Sequence, residues 1–411
     1  MNPLPLVGGS PDITRRKFLA SAGTATLGLS LLSPQLVRGA DANSKINIGI
    51  IGCGGRGSWI TDLFAKDGRY NIVAVADYFQ DRVDAVGTKH NVPAEKRFSG
   101  LSGYKRLLAE KMDAVAVETP PYFRPEQVAA AVDAGKHVYM AKPLAVDVPG
   151  CLSIADSAKK AATKKLSMLV DFQTRAMPAY QEVLQRVHAG GIGKLVTVYA
   201  EYQTSLMFQE RDNQVRKEPN NPEVRLRAWG IDRIISGDVI TEQNIHALDV
   251  ATWFVNAEPI KAYGSGGRAR PFIGDCWDHY SVLFFFPDDL VVTFTAKQVG
   301  YGFDDIMVRA HGTTGTAETN YGGKCWLSSR EDKYNGTTPN IYLVGVEKNI
   351  ATFYDAVTKT DFTNPTVAPS VRSNLATILG RTAAYKKTEV TWAEMMKTNE
   401  KWEFDTKGLK A

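Results

Sequence analysis

The chain has 411 residues, of which 44% are hydrophobic and 23% charged, with a formal net charge of +5 and four cysteines. That length is more than one hydrophobic core serves and suits two domains. A charge so near balance gives no footing for nucleic acid, which calls for a concentrated basic patch, and no Cys-x-x-Cys pair is present to suggest a zinc site.

Residues 1–42 read as a targeting segment rather than as structure. Thr14-Arg15-Arg16-Lys17-Phe18-Leu19 precedes an apolar run from Leu27 to Leu32, and Ala40-Asp41-Ala42 supplies a small-x-small cleavage pattern. The paired arginines point to the twin-arginine route, whose translocase carries folded proteins to the periplasm. The run is too short and too rich in Gly, Ser and Thr for a membrane span, and no later segment approaches one. Removing this segment takes away four Lys/Arg and two Asp residues, so the net charge falls from +5 to about +3. Cys53, Cys151, Cys276 and Cys325 show no spacing that indicates a disulfide, although an oxidising compartment permits one.

Residues 43–172 alternate strand and helix. Strands are expected at 45–52, 71–77, 112–119, 137–140 and 166–172, and helices at 58–64, 81–89, 104–111, 126–134 and 151–164. The buried run Ile72-Val73-Ala74-Val75 and the Gly135 stop after the fourth helix fit this reading. The alternation is that of a doubly wound parallel sheet. Residues 173–411 have a different texture. Stretches at 194–203, 260–263, 280–286, 290–297 and 306–310 are β-rich, and several alternate apolar with polar residues, as in Val291-Val292-Thr293-Phe294-Thr295. A mostly antiparallel sheet with one covered face is expected there. The polar segment 208–222 reads as a long surface loop. Helical patterns return at 347–357 and 370–386 and should pack back on the body.

The first strand runs into Gly52-Cys53-Gly54-Gly55-Arg56-Gly57, which opens a helix. In that setting the Gly-x-Gly-x-x-Gly spacing is a dinucleotide fingerprint. Gly52 permits the tight turn, Gly54 lets a diphosphate reach the backbone and Gly57 lets helix and strand pack closely, while Gly55 and Arg56 complete the loop. The helix N-terminus faces the phosphates with free N–H groups. Asp77 ends the second strand twenty residues after Gly57, where a carboxylate accepts from the adenosine ribose hydroxyls. Tyr78 rather than arginine follows it, so NAD is favoured over NADP. An exported NAD protein leaves the cytoplasmic pool behind, so it should carry its cofactor out tightly held and recycle it.

The ordered set of this fingerprint, Asp77, Glu118-Thr119-Pro120, Ala141-Lys142-Pro143 and Glu242-Gln243-Asn244-Ile245-His246-Ala247-Leu248-Asp249 resembles the glucose–fructose oxidoreductase and inositol dehydrogenase (Gfo/Idh/MocA) family over nearly all of residues 45–395. The resemblance implies an N-terminal Rossmann domain and a C-terminal α/β domain whose open sheet supports dimers or tetramers. It also implies sugars, cyclitols or their derivatives as small-molecule substrates. Thr119, Pro120 and Lys142 then belong to the cofactor site. The family's Glu-Lys-Pro falls on Ala141-Lys142-Pro143, with the lysine kept and the glutamate lost. Its Asp-x-x-x-His falls on Glu242 and His246, and Arg124 stands where a histidine is often found.

The chemistry of these residues can be argued separately. Glu242 and His246 are four apart, so a continuous helix presents both on one face, with Asp249 close to that face. Oxidising a secondary alcohol needs a base for the hydroxyl proton, and histidine is poised for that near neutral pH. Lys142 follows the fourth strand of the parallel sheet, near the crevice where such sheets bind ligands, and its ammonium can stabilise developing alkoxide charge. Glu242 would orient His246 or hold a neighbouring hydroxyl. No third ligand accompanies Glu242 and His246, so no metal is expected. Gln173 and Arg175 reach the nicotinamide side by family analogy, and Tyr202, Trp229, Arg233 and Asp238 flank the substrate region. His90, His137, His188, His279 and His311 read as structural.

The leading expectation is an exported NAD-dependent oxidoreductase acting on a hydroxyl of a sugar or sugar derivative. A redox-neutral alternative uses the same atoms: transient oxidation of a ring hydroxyl, elimination of the glycosidic substituent, hydration and re-reduction, as in NAD-dependent glycosidases that resemble this family. A non-catalytic carbohydrate-binding protein, prompted by Ala141, is the third.

Overall fold

A computed structural model describes residues 45–205, 208–270 and 274–411. The twin-arginine segment lies outside the described residues. The first layer contains, in order, β1 (Ile46–Ile51), α1 (Gly55–Asp67), β2 (Tyr70–Asp77), α2 (Gln80–Lys89), β3 (Arg97–Ser99), α3 (Gly103–Leu108), β4 (Ala114–Val117), α4 (Arg124–Asp133), β5 (His137–Ala141), α5 (Val148–Thr163) and β6 (Met168–Asp171). All pairings are parallel, and the strand order is β3-β2-β1-β4-β5-β6. That order reverses between β1 and β4, and such a reversal opens a ligand crevice at the carboxyl ends of the strands. Local chemistry fixes several helix ends. Gly68 closes α1 with φ +81°, and Asp147 caps α5 by accepting the Gly150 N–H at 2.8 Å.

The second part begins with α6 (Gln173–Ala176), α7 (Pro178–His188), β7 (Leu195–Thr204), α8 (Gln209–Lys217), α9 (Pro222–Arg227), α10 (Arg233–Ser236), α11 (Asp238–Glu242) and α12 (Ile245–Val255). It continues through β8 (Lys261–Gly267), β9 (His279–Phe285), β10 (Val291–Gln298), β11 (Asp305–Gly312), β12 (Gly315–Asn320), β13 (Lys324–Ser329) and β14 (Lys333–Thr337). It closes with α13 (Ile341–Thr358), α14 (Val367–Lys386), β15 (Val390–Thr391) and α15 (Trp392–Thr398). Nine strands form one sheet in the order β14-β13-β12-β11-β7-β10-β9-β8-β15.

Period-two patterning sets the two faces of this sheet. Ala262, Phe284, Val292, Val198, Ala310, Ala317 and Leu327 lie side by side in register and are all buried. The row one residue away, Tyr263, Leu283, Thr293 and Tyr199, is open, with Tyr263 half exposed. The sheet is mostly antiparallel as expected, but β7 and β10 pair in parallel. Alternation within a strand determines which face is covered, not the direction of a neighbour. The two C-terminal helical patterns fall within α13 and α14. Val346, Ile350 and Phe353 of α13 share a core with Ile48, Ile50, Phe64 and Tyr139 of the parallel layer.

One expected loop is wrong. The segment 208–222 carries α8 and the start of α9. Its Gln, Glu, Arg and Lys residues are good helix formers without an apolar stripe, so periodicity could not reveal it. All four cysteines are free and buried. Among the described residues no helix is long and apolar enough to cross a membrane, and no cluster of His, Cys, Asp and Glu could hold a metal ion.

Candidate active site

The glycine loop sits between β1 and α1 with no room for side chains. A Cβ at Gly57 would lie 1.8 Å from the Gly52 carbonyl oxygen, and Gly52 has φ +101° with its α-carbon against the Glu118–Thr119 backbone. A Cβ at Gly55 would meet nothing within 4 Å, so the start of α1 opens onto free space. Beside it runs a crevice of about 510 Å³, bordered by Asp77, Phe79, Arg82, Thr119, Pro120 and Leu226. Asp77 ends β2. Its carboxylate accepts the Cys53 N–H at 2.7 Å and the Phe79 N–H at 2.9 Å, which ties the glycine loop to the start of α2. Free lone pairs remain for ribose hydroxyls. The loop, the open helix start and the crevice carboxylate fit a dinucleotide. One expectation needs correction: Tyr78 follows Asp77, but Arg82 borders the same crevice, so a cation near the ribose end is present.

Arg56 does not extend over the loop towards phosphates. Its guanidinium pairs with Glu118 at 3.2 Å and with Asp171 at the end of β6, and it donates to the Tyr342 hydroxyl at 3.1 Å. Burial opposes its charge, but Asp171 and Glu118 outweigh burial and hold the pKa above the usual arginine value. Burial, aided by Asp171, pushes Glu118 up to about 7 against the pull of Arg56 and Arg124.

The candidate lysine and glutamate meet where β5 ends. The Lys142 ammonium donates to the Glu242 carbonyl at 2.6 Å, and the Glu242 carboxylate lies 3.6 Å away. Burial lowers the Lys142 pKa, with Arg56 and Arg124 adding to the shift and Glu242 opposing it. His246 packs edge-on to Phe172 and Tyr321, and its buried Nδ1 has no hydrogen-bond partner. Burial, then the charges of Lys142 and Arg56, hold its pKa well below the ordinary histidine value, so the ring is neutral and able to accept a proton.

The expected continuous helix through Glu242 and His246 is broken. Glu242 ends α11, Gln243 and Asn244 form a turn, and His246 lies in the first turn of α12. The Glu242 carboxylate reaches Lys142 and the Gln243 amide, and His246 Nδ1 has no hydrogen bond to it, so the expected orienting of His246 by Glu242 is not made. Arg124, in the place of a histidine, is buried and does not face outward. Its guanidinium donates to the carbonyls of Thr119 at 2.7 Å, Ala141 at 3.1 Å and Pro143. Two of those carbonyls flank Lys142.

The remaining assigned residues divide. Gln173, the first residue of α6, is fully buried, and neither amide atom has a partner. Asn244, also fully buried, has the same open capacity beside His246 and escaped the sequence reading. Its place two residues before the histidine was the available signal. Tyr202 donates to Gln243 Oε1 at 2.9 Å, so it buttresses the turn between α11 and α12.

Arg175 and Asp249 engage each other through several hydrogen bonds, the shortest 2.8 Å, and Ser373 also donates to Asp249. Their charges are spent on each other rather than left for substrate. Arg233 lies 3.7 Å from Asp275 and over the Tyr385 ring. Trp229 packs in an aromatic cluster with Phe79 and Phe404. Asp238 is buried, accepting from the Tyr280 and Tyr385 hydroxyls. A single sequence could not show that these polar groups satisfy one another.

Residues 46–169 match the Gfo/Idh/MocA oxidoreductase family, NAD-binding Rossmann fold, and residues 180–318 match the Gfo/Idh/MocA C-terminal domain. An inositol 2-dehydrogenase 3 from Saccharopolyspora erythraea is 31% identical over 218 residues, covering 53% of this chain and 56% of that protein. An alpha-N-acetylgalactosaminidase from Shewanella oneidensis and a glycosyl hydrolase family 109 protein from Shewanella sp. (strain W3-18-1) are each 27% identical, over 49% of this chain and 48% of theirs. The chain thus spans about half the length of the curated relatives it matches. Among solved structures, scyllo-inositol dehydrogenase from Lactobacillus casei with NAD(H) and scyllo-inositol superposes with a TM-score of 0.67 at 19% identity, covering 85% of this chain and 100% of that one. Levoglucosan dehydrogenase with NADH and levoglucosan gives 0.68 at 18% identity, covering 85% and 99%. A 3-ketoreductase from Actinomadura kijaniata with NADP gives 0.64 at 18% identity, covering 83% and 98%.

Proposed function

The chain belongs to the Gfo/Idh/MocA family of oxidoreductases, and from that premise we propose that it is an exported NAD-dependent enzyme that oxidises a hydroxyl of a sugar or sugar derivative and keeps its cofactor tightly held. One observation carries the reading: a neutral buried His246 with an open Nδ1 lies under the charge of a buried Lys142, at the carboxyl end of a dinucleotide-binding sheet. The glycine loop and Asp77 would hold the dinucleotide, whose nicotinamide supplies the hydride acceptor. His246 accepts the proton of the substrate hydroxyl. Lys142, released from the Glu242 carbonyl or bridging to it, donates to the same oxygen and stabilises the alkoxide charge as it develops. The open amides of Gln173 and Asn244 are suited to sugar hydroxyls, which need both donors and acceptors. Asp77, as an acceptor for ribose hydroxyls, supports NAD.

The same groups support redox-neutral cleavage of a glycoside, in which His246 and Lys142 serve oxidation and re-reduction around an elimination. The Shewanella relatives named as glycosyl hydrolases favour this second reading. The Arg15-Arg16 leader supports export, and the open Tyr199–Leu283 face of the nine-stranded sheet supports a homodimer or homotetramer.

The test is to purify the protein, assay released dinucleotide after denaturation, and incubate the native protein with polyols, monosaccharides and glycosides. Products are read by mass spectrometry. Keto products support the oxidoreductase. A released aglycone without net NADH supports the glycosidase. Retained dinucleotide with no product from either panel refutes both.

A further inference from the structure

The crevice beside the glycine loop runs from Asp77, at the end of β2, to Gly100 and Leu101, which follow β3. Beyond the ribose carboxylate its walls are apolar, made by Phe79, Leu101, Tyr104, Phe123 and Leu226. A slot of that kind suits the flat adenine ring of a dinucleotide whose ribose Asp77 holds. Leu226 comes from α9 and the other walls come from the first layer, so two parts of the chain bound the slot.

Behind these walls lies residues 399–411, a segment that follows α15 without helix or strand and is fastened along its length. The Trp402 N–H donates to Asp147 at 2.8 Å, and the Arg381 guanidinium lies 3.7 Å from the Trp402 ring centre. The Phe404 N–H donates to the Tyr122 hydroxyl at 3.1 Å. Its buried ring packs edge-on to Tyr122 and Phe123, in the cluster that also holds Phe79 and Leu226. Leu409 packs against that same cluster. The Lys410 N–H donates to the Tyr78 hydroxyl at 3.0 Å, and the Lys410 carbonyl accepts the Leu101 N–H at 3.0 Å. The segment crosses Gly100 so closely that a Cβ there would collide with Ala411. Tyr78 is held from both sides, since its hydroxyl donates to Glu223 of α9 at 2.7 Å.

Leu101, Tyr104, Phe123 and Gln127 face the slot on one side and, on the other, a hollow bordered by Thr406 and Ala411. One layer of side chains thus separates the segment from the slot. Lys410 holds the Leu101 wall, and Phe404 holds the Phe123 and Leu226 walls. We propose that residues 402–411 are a strap that keeps the adenosine slot closed and sets how slowly the dinucleotide leaves. Leu409 and Lys410 are positioning residues, which touch the walls and not the cofactor. The proposal rests on the dinucleotide reading of the site and supplies the element that keeps the cofactor captive. Each hydrogen bond of the strap is worth about 2- to 10-fold in an equilibrium, so the strap can open without unfolding the sheet behind it.

The test uses the full chain and the variants L409S, K410P and K410A. L409S removes the apolar contact, and K410P removes the N–H that Tyr78 accepts. K410A keeps that N–H and loses a surface contact with Glu223. Lys410 is exposed, so its variants spare the core. Release of bound NADH is followed by fluorescence after mixing with excess NAD. Calorimetry compares ADP-ribose with reduced nicotinamide mononucleotide, which lacks the adenosine. L409S and K410P are expected to release NADH about 5- to 20-fold faster and to weaken ADP-ribose by a similar factor. The mononucleotide should stay within about twofold of wild type in every variant, and so should K410A with all ligands. Wild-type release rates in both L409S and K410P overturn the proposal. Equal weakening of ADP-ribose and the mononucleotide overturns it too, because the segment then acts through general packing. K410A matching K410P overturns it by moving the effect to the lysine charge. A wild-type protein that binds neither NADH nor ADP-ribose refutes the dinucleotide reading itself, and the strap falls with it.

Discussion

Arg124 offers a perturbation whose consequences can be worked from distances. Its guanidinium joins the end of β4 to the Lys142 turn through the carbonyls of Thr119, Ala141 and Pro143. R124M keeps much of the side chain's bulk but leaves three buried acceptors unpaired, at about 1–3 kcal/mol each. With partial relaxation, a stability loss of about 3–5 kcal/mol is expected, read as a lower urea midpoint at unchanged slope. Catalysis should suffer separately, because the carbonyls on both sides of Lys142 lose their anchor. A shift of about 1 Å at a reacting group costs about 100-fold in kcat/KM. The charge change has its own sign. Arg124 helps to hold the Lys142 pKa down, so its removal raises that pKa and moves the alkaline limb of kcat/KM to higher pH. R124K should recover part of the stability and return the limb towards its original position. An R124M protein with unaltered midpoint, rate and alkaline limb would refute this reasoning.

Other predictions follow from the same structure. In the wild type, kcat/KM should stay level well below pH 6.5, since His246 remains neutral there, and should fall on the alkaline side before pH 10.5 as Lys142 loses its proton; a pH–rate series checks both limbs. His137 accepts the Ser167 N–H at 2.9 Å, and burial brings its pKa down to about 4. As pH falls from 6.5 to about 4 the unfolded chain takes up a proton that the folded one refuses. Stability present above 6.5 is therefore lost through that window, by about 3 kcal/mol, and urea midpoints of H137Q should show a shallower slope there. D77A should weaken NAD about tenfold or more, through lost acceptors and a loosened glycine loop, and NADP less, as titration calorimetry would show. Tyr199→Glu with Leu283→Glu should shift light-scattering mass towards the monomer if the open sheet face holds subunits together.

The sequence made the parallel layer legible because each strand is a short apolar run between turn signals, and the fingerprint lies at a junction where glycine is sterically required. Ordered motifs singled out Lys142 and His246 as candidates. The geometry around them was not legible. Residues four apart suggest one helix, yet Gln243 and Asn244 turn the chain between two. Arg175 and Asp249 looked available because a sequence does not display their pairing. Helix α8 was hidden for the opposite reason: its polar residues carry no apolar stripe and resemble a loop.

The most direct test of the central claim is rapid-mixing measurement of NADH formation on the enzyme, using a substrate found in the product survey, for wild type, H246A and K142M. NAD affinity is measured on the same samples. The account predicts that the hydride-transfer rate falls about 100- to 10,000-fold in H246A and at least about 100-fold in K142M, with NAD affinity within a few fold of wild type. Wild-type rates in both variants would contradict it.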